Sequence, residues 1–551
     1  MKTLSIGTDN FADIIKDCYY VDKTDIISHI LTNAKNTSLL FTRPRRFGKS
    51  LMISMLKYFF EKGHDDIYPY FKNLNISKHK NIIENYMGKY DVIYINLKGL
   101  QADNKTDIIL RTKQLIIKEF LRYKELINKL EDEDIKLFNS YTDINLNDAI
   151  FQSSLKDLSY LIYKASGKRP ILLIDEYDMP MQIDYEKNFY KDISIFYKGL
   201  FSDALKSNPY LEYAILTGVT RAGKMSLFSG LNNLLVDTVL DEDYASCFGF
   251  TDNDVIEMAK YYQANIDINL LNQWYGGYKF GGVNIYNPWS ILNYFKHQNK
   301  FNQYWSSTTS SSILRSLIKN NYLDLSNDID NLLNDKPIIH RVDVTINYED
   351  LNITNDSIIS SLLFMGYLTI FDTMNNISLL KFPNNEVKNI FIDELLVILS
   401  NGNLNLCYGL KTSFINGDIA RFSSLLEEHI LSSFTYFDFN NEREYQAMLL
   451  TLCSIIFDDC IIKSELPLGY GRCDILIYPK KSSFFAAVIE VKHLKNKTSR
   501  ERLDKSAEKA LLQILENQYL EEIKSADVKN IYAIGISFFK NKVISKIKIV
   551  K

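Results

Sequence analysis

Residues 39–61, LLFTRPRRFGKSLMISMLKYFFE, set a short apolar run, a basic loop and an amphipathic stretch in immediate succession. After the loop, Leu51, Met55, Leu56 and Phe59 recur at helical spacing, which predicts strand, tight loop, helix. A strand that leads straight into a helix returns to its sheet by a parallel crossover, so such a chain is driven towards a parallel sheet covered on both faces. That first apolar run, residues 38–41 (SLLF), and further ones at residues 92–97 (VIYINL), 171–174 (ILLI) and 213–216 (YAIL) supply the strands, with helical periodicity between them. Residues 1–300 are therefore expected to form one α/β domain.

The loop itself has chemistry. Residues 43–50, RPRRFGKS, match the phosphate-binding pattern of a glycine, four residues and Gly-Lys-Ser/Thr, except that Arg43 stands where the first glycine would be. N–H groups at a helix N-terminus cradle phosphates. Lys49 would reach the β- and γ-phosphates of ATP, and the Ser50 hydroxyl would ligate Mg²⁺. Arg43, Arg45, Arg46, Phe47, Gly48, Lys49 and Ser50 form the candidate nucleotide loop, with Arg43 making the phosphate grip unusual. The run ILLIDEYD ends in Asp175 and Glu176. A carboxylate at the tip of a buried strand is costly unless it holds a cation, so Asp175 is assigned to the Mg²⁺ shell and Glu176 to polarising the attacking water. In YAILTGVTRAGK, Thr217 and Arg221 fall at the carboxyl end of a strand, where ligands of open α/β sheets sit. Thr217 is a candidate γ-phosphate sensor and Arg221 a candidate for stabilising transition-state charge; capping the next helix is the alternative for both.

From about residue 302 the pattern changes. Residues 362–383, LLFMGYLTIFDTMNNISLLKFP, predict a helix, a glycine-marked turn and a hairpin, a pattern similar to a winged helix. Residues 473–479 (CDILIYP) and 484–492 (FFAAVIEVK) predict two strands. Sixteen residues separate Asp474 from Glu490, enough for two strands and a turn, and Glu490 and Lys492 share one strand face. Two carboxylates beside a lysine can hold Mg²⁺ or Mn²⁺ and activate water for phosphodiester hydrolysis; a solvated strand face is the alternative.

Composition narrows the setting. The chain has 551 residues, enough for several cores, and 64 Lys and Arg against 67 Asp and Glu, a net charge of −3. A nucleic-acid partner must therefore be held by local basic patches; Lys480 with Lys481, and the stretch from Lys492 to Arg502, are the candidates, with a solvated loop as the alternative. Six scattered cysteines without CxxC spacing predict free thiols in a reducing compartment. The N-terminal MKTLSIGTDNFADIIKD has no apolar signal core, and no apolar run reaches the roughly 18 residues of a membrane helix. A cytoplasmic protein with no membrane partner is expected.

The ordered set YYVDKT (19–24), LLFTRPRRFGKS, LLIDEYD, TGVTR and WYGGYKFGGVNIYNP (274–288) resembles the AAA-ATPase-like family of prokaryotic proteins. That resemblance implies a P-loop NTPase parallel sheet with helices, here residues 1–300, and a C-terminal α/β restriction-endonuclease-like, or PD-(D/E)XK, domain. The latter is placed at residues 399–551, with the winged-helix-like region at 301–398 between. RPRRFGK is the family's own form, so Arg43 is a family trait. GYGRCDILIYP…FAAVIEVK resembles the nuclease-like signature, and NEREYQAMLLTLC (441–453) its first helix. The resemblance implies Glu442 as an extra metal carboxylate, with Glu444 its rival, and Gln513 in ALLQI as a hydrogen-bond donor to the scissile phosphate or water. It leaves Asp22 and Lys23 open between nucleotide contact and helix capping, and favours a structural clasp for residues 274–288. ATPases of this broad type often complete their site with a neighbour's arginine, so a homo-oligomer is compatible. Two readings follow: an ATP-hydrolysing protein with a metal-dependent nuclease acting on nucleic acid, DNA before RNA, or an ATP-regulated binding module with a non-catalytic nuclease-like scaffold.

Overall fold

The computed structural model describes residues 1–33, 38–63, 67–100, 104–187, 190–220, 228, 233–305, 312–346, 354–375, 377–400, 402–433, 441–457, 460–468, 471–480, 483–495, 499–517, 519, 528–540 and 542–550. Arg221, Lys481 and residues 496–498, all singled out in the sequence, lie outside them. The chain divides into two compact units, Met1–Ile313 with Ile339–Lys388, and Leu314–Ile338 with Asn389–Lys551. Among the described residues, no single helix is long and apolar enough to cross a membrane.

The first unit is built on five strands, β1 (Ser38–Thr42), β2 (Val92–Asn96), β3 (Ile171–Asp175), β4 (Tyr213–Gly218) and β5 (Leu234–Asp237). They pair in the order β2-β3-β4-β1-β5, with every pair parallel. Each residue of β1, β3 and β4 is buried, as a sheet covered on both faces requires. β4 separates β1 from β3, so the loop after β1, Thr217 and Asp175 fall side by side along one edge. The loop turns on Arg46 (φ 69°) and Gly48 (φ 88°) into the helix Lys49–Phe60, which buries Met52, Ile53, Met55, Leu56, Phe59 and Phe60.

Residues 274–288 form a hairpin of β6 (Tyr278–Phe280) and β7 (Val283–Ile285). It leads into the helix Pro288–Lys296, whose Asn287 cap accepts from Trp289 N and Ser290 N. Phe47 packs against Tyr278 and Phe280 at 4.9 and 5.1 Å between ring centres, and Asn384 Nδ2 donates to Gly276 O at 2.7 Å. The stretch is a clasp. The unit also holds the expected helix and hairpin, Asn355–Met365 followed by β9 (Thr369–Met374) and β10 (Ile377–Lys381), with Gly366 in the left-handed region between them. β8 (Ile338–His340) makes this a three-stranded sheet in the order β8-β10-β9.

The second unit carries the sheet β11-β12-β13-β14-β15: β11 (Cys460–Leu468), β12 (Gly471–Pro479), β13 (Ser483–His493), β14 (Val528–Phe539) and β15 (Lys542–Ile549). Only β13 and β14 run parallel, and the helix Arg500–Glu516 is their crossover. Its buried stripe of Leu503, Ala507, Ala510 and Ile514 lies close on β14, where a Cβ at Gly535 would stand 2.2 Å from Ala507 O.

Candidate functional sites

In the first unit, the loop after β1 and the start of the helix Lys49–Phe60 line a cleft of about 280 Å³ together with Arg45, Arg46, Lys98, Glu176 and Trp289. Lys49 is 4% exposed, and its Nζ donates to the carbonyls of Arg43 and Pro44 at 3.0 Å each. Burial lowers its pKa, opposed by the charges of Glu176, Asp178 and Asp175. Ser50 lines the same cleft. Arg46 lies 4.3 Å over the ring of Trp289.

Asp175, at the end of β3, is fully buried. Its Oδ1 accepts from Thr217 Oγ1 at 2.7 Å, while Oδ2 has no hydrogen-bond partner. A buried carboxylate oxygen left without a donor fits a cation. Thr217 is fully buried as well, so its hydroxyl positions Asp175 and does not face the cleft. Glu176 follows at φ 52°, an uncommon conformation for a non-glycine residue, and lines the cleft with Lys49. Burial raises its pKa, with Lys49 pulling the other way.

Two members of the candidate loop turn away from the cleft. The Arg43 guanidinium is fully buried, hydrogen-bonded to Asp237 and to the carbonyls of Thr42 (2.9 Å) and Asp237 (3.2 Å), and lies over Phe248. Its side chain is structural and cannot shape a phosphate grip from there. Phe47 is likewise fully buried, in the clasp. Asp22 and Lys23 also brace the fold. Asp22 accepts from Thr24 N, Thr24 Oγ1 and Asn75 N, and Lys23 pairs with Asp254 at 2.6 Å. Residues that the sequence reading did not pick out are Lys98, paired with Asp9 at the cleft, and Asp178 with Gln182 behind it.

In the second unit, β12 and β13 pair from Ile477↔Ala487 to Ile475↔Ile489. Just past that point the Asp474 side chain enters between the strands and Oδ2 accepts from Val491 N at 2.7 Å. Glu490 is 2% exposed; Oε1 accepts from Lys492 Nζ at 3.0 Å and from Gln513 Nε2, whereas Oε2 is buried with no partner. Burial, then the Asp474 charge, push its pKa up to about 7. Glu442, at the start of the helix Glu442–Ile456, accepts from His493 N at 3.1 Å and stands 3.9 Å from Lys492 Nζ. Glu444 instead bonds Asn441 Nδ2 at the helix cap, so of the two rivals Glu442 is the one at the site.

Glu442, Asp474, Glu490, Lys492 and Gln513 are thus brought to one end of the sheet. Among the described residues, however, no three His, Cys, Asp or Glu side chains close into a metal-holding group. The Lys492 ammonium stands between Glu490 and Glu442 and serves as the cation for both.

Comparison with known proteins agrees with both geometries. Residues 5–228 match the family described as "Predicted AAA-ATPase". Residues 440–547 match the PD-(D/E)XK nuclease superfamily. The chain carries an AAA-ATPase-like domain and a PD-(D/E)XK nuclease superfamily domain. It is also 28% identical over 320 residues to the "Uncharacterized protein in vnfD 5'region" of Azotobacter chroococcum mcd 1. That match takes in 58% of this chain and 56% of the relative, so the chain spans little more than half of the relative's length.

Proposed function

We propose that the AAA-ATPase-like domain binds ATP with Mg²⁺ and hydrolyses it, and that the PD-(D/E)XK domain cleaves nucleic acid, DNA in preference to RNA, with Mg²⁺ or Mn²⁺. The observation that carries this reading is shared by both sites: each holds a buried carboxylate oxygen with no protein donor, Asp175 Oδ2 and Glu490 Oε2, in the neighbourhood of a lysine. A divalent cation at such an oxygen neutralises phosphate charge and makes a bound water acidic.

In the first domain, Lys49 leaves its two carbonyl partners for phosphate oxygens, a stronger charge-assisted contact. Ser50 and Asp175 hold the cation, with Thr217 fixing the Asp175 rotamer. Glu176, protonated more readily than an ordinary carboxylate, accepts a proton from the attacking water. In the second, Asp474, Glu490 and Glu442 offer the ligand oxygens. Gln513 orients Glu490, and Lys492 positions the attacking water once its carboxylate partners turn to a cation. Homo-oligomerisation would bring a neighbour's arginine to the ATP site.

The lysine-bridged arrangement of Glu442 and Glu490 favours the second reading, an ATP-regulated binding module, to the extent that no metal displaces it. One experiment separates them. Purified protein is assayed for ATP hydrolysis and for cleavage of plasmid and single-stranded DNA with Mg²⁺ or Mn²⁺, beside Lys49→Ala and Asp474→Asn. Each variant is expected to lose its own activity by about 100-fold or more. DNA binding without cleavage under either metal would establish the module instead.

A further inference from the structure

Asp178, the last residue of the DEYD motif, takes no part in the chemistry above, yet it is fully buried and highly bonded. A single oxygen, Oδ2, accepts from Val219 N (3.0 Å), Thr220 N (3.0 Å), Thr220 Oγ1 (3.2 Å) and Gln182 Nε2 (3.1 Å). Asp178 therefore ties the helix Met179–Lys187 to the carboxyl end of β4. The neighbouring Tyr177 adds a second tie, its hydroxyl donating to Thr220 O at 2.8 Å. Gly218 makes the approach feasible: a Cβ there would lie 2.5 Å from the Tyr177 ring and 2.8 Å from Asp178 Oδ1.

Gln182 extends this network to the nucleotide loop. It is 5% exposed, and while its amide nitrogen donates to Asp178, its Oε1 accepts from Arg45 Nη2 at 2.7 Å. Arg45 lines the nucleotide cleft with Lys49 and Glu176, and its charge interacts with both. The same side chain lines a cavity of about 30 Å³ with Gln182, Val219 and Thr220. A continuous hydrogen-bonded chain, Arg45–Gln182–Asp178–Thr220, thus joins the cleft to the end of β4. Its weakest link is at the cleft. Arg45 donates there to a neutral amide, and guanidinium bonds to an anionic phosphate are roughly twice as strong and often bidentate. A phosphate within reach of Arg45 competes with Gln182, whose one planar amide is shared between Arg45 and Asp178.

We propose that Gln182 and Asp178 are positioning residues that report the presence of a γ-phosphate in the cleft to the segment following β4, through the competition between phosphate and Gln182 for Arg45. This inference rests on the ATP reading of the cleft, and the test keeps the two apart. Binding of ADP and of a non-hydrolysable imido-ATP to the full chain is measured by calorimetry, and hydrogen exchange of peptides covering residues 213–220 is followed in each bound state. The wild-type protein is expected to bind both nucleotides and to show an exchange difference of about tenfold at Val219 and Thr220 between them. In Gln182→Leu, affinities for both should stay within about threefold, the exchange difference should fall below about twofold, and kcat for ATP should drop while KM holds. Gln182→Met, closer in length and flexibility, repeats the measurement should the leucine variant melt early. Persistence of the exchange difference in either folded variant, or its absence in a wild-type protein that binds both nucleotides, overturns the proposal. A wild-type protein that binds neither nucleotide overturns the ATP reading, and this inference with it.

Discussion

The Arg43 guanidinium ends on the Asp237 carboxylate inside the first unit, and both side chains are almost wholly out of water. Removing one member of a buried ion pair strands the other, so Arg43→Ala is expected to cost about 3–5 kcal/mol in denaturant unfolding. Nucleotide affinity of the folded protein should change little, because the side chain faces away from the cleft. A phosphate-gripping arginine would show the reverse pattern. Glu386 gives a second residue-scale prediction. It is fully buried, accepts from Ser290 Oγ (2.7 Å), Tyr304 N (2.6 Å) and Trp305 N (2.9 Å), and burial pushes its carboxyl up to about 7. A carboxyl raised in the folded state contributes stability that is complete below its ordinary value near 4.5 and is lost as pH rises through about 7. Glu386→Gln should therefore gain on the wild type in melting temperature between pH 5 and pH 8, by at most about 3 kcal/mol equivalent. A pH-independent difference would show that the carboxyl titrates normally.

At the scale of elements, the insertion of β4 between β1 and β3 decides what the site contains. It sets Thr217 against Asp175 and Val219–Thr220 against Asp178, and it makes Gly218 the tightest point of the edge. Gly218→Ala is expected to destabilise by about 1–3 kcal/mol through overpacking, and to reduce ATP hydrolysis more than ATP binding, measured by unfolding and steady-state kinetics. Strands β1 to β4 were legible within a residue or two, because runs such as SLLF and ILLI are apolar on both faces. β5 was not, since LLVD is short and half exposed. β11 and β15 were missed for the related reason that strands with one wet face leave a weaker apolar signal, and β14 was missed although its residues 531–538 are buried throughout.

For the whole molecule, chain order and spatial grouping disagree. The compact first unit takes in Ile339–Lys388 as well as Met1–Ile313. The contacts that hold that second stretch on residues 1–300 include three hydrogen bonds: Ser290 Oγ donating to Glu386, Asn384 Nδ2 to Gly276 O, and Lys279 N to Thr369 Oγ1 at 2.9 Å. A chain ending at residue 300 loses all three and is expected to melt about 10 °C or more below one spanning residues 1–388. Equal melting temperatures would show that residues 1–300 are a self-sufficient domain.

The amino-acid sequence by itself determined the two kinds of fold and the residue types of both candidate sites, because apolar runs, glycines and motif spacing are local properties. GKS, DEYD and D…EVK are visible one residue after another. Which way each side chain points was decided only in three dimensions. Arg43 went into the core because Asp237 and Phe248, some two hundred positions away, offer its charge a better environment than the cleft. Thr217 became a brace for Asp175, Glu442 prevailed over Glu444 because a cap residue claimed the latter, and Asp178 acquired its partners from a loop about forty residues on. Each outcome is a competition between polar partners, and such competitions are settled by neighbours that the order of the chain does not reveal.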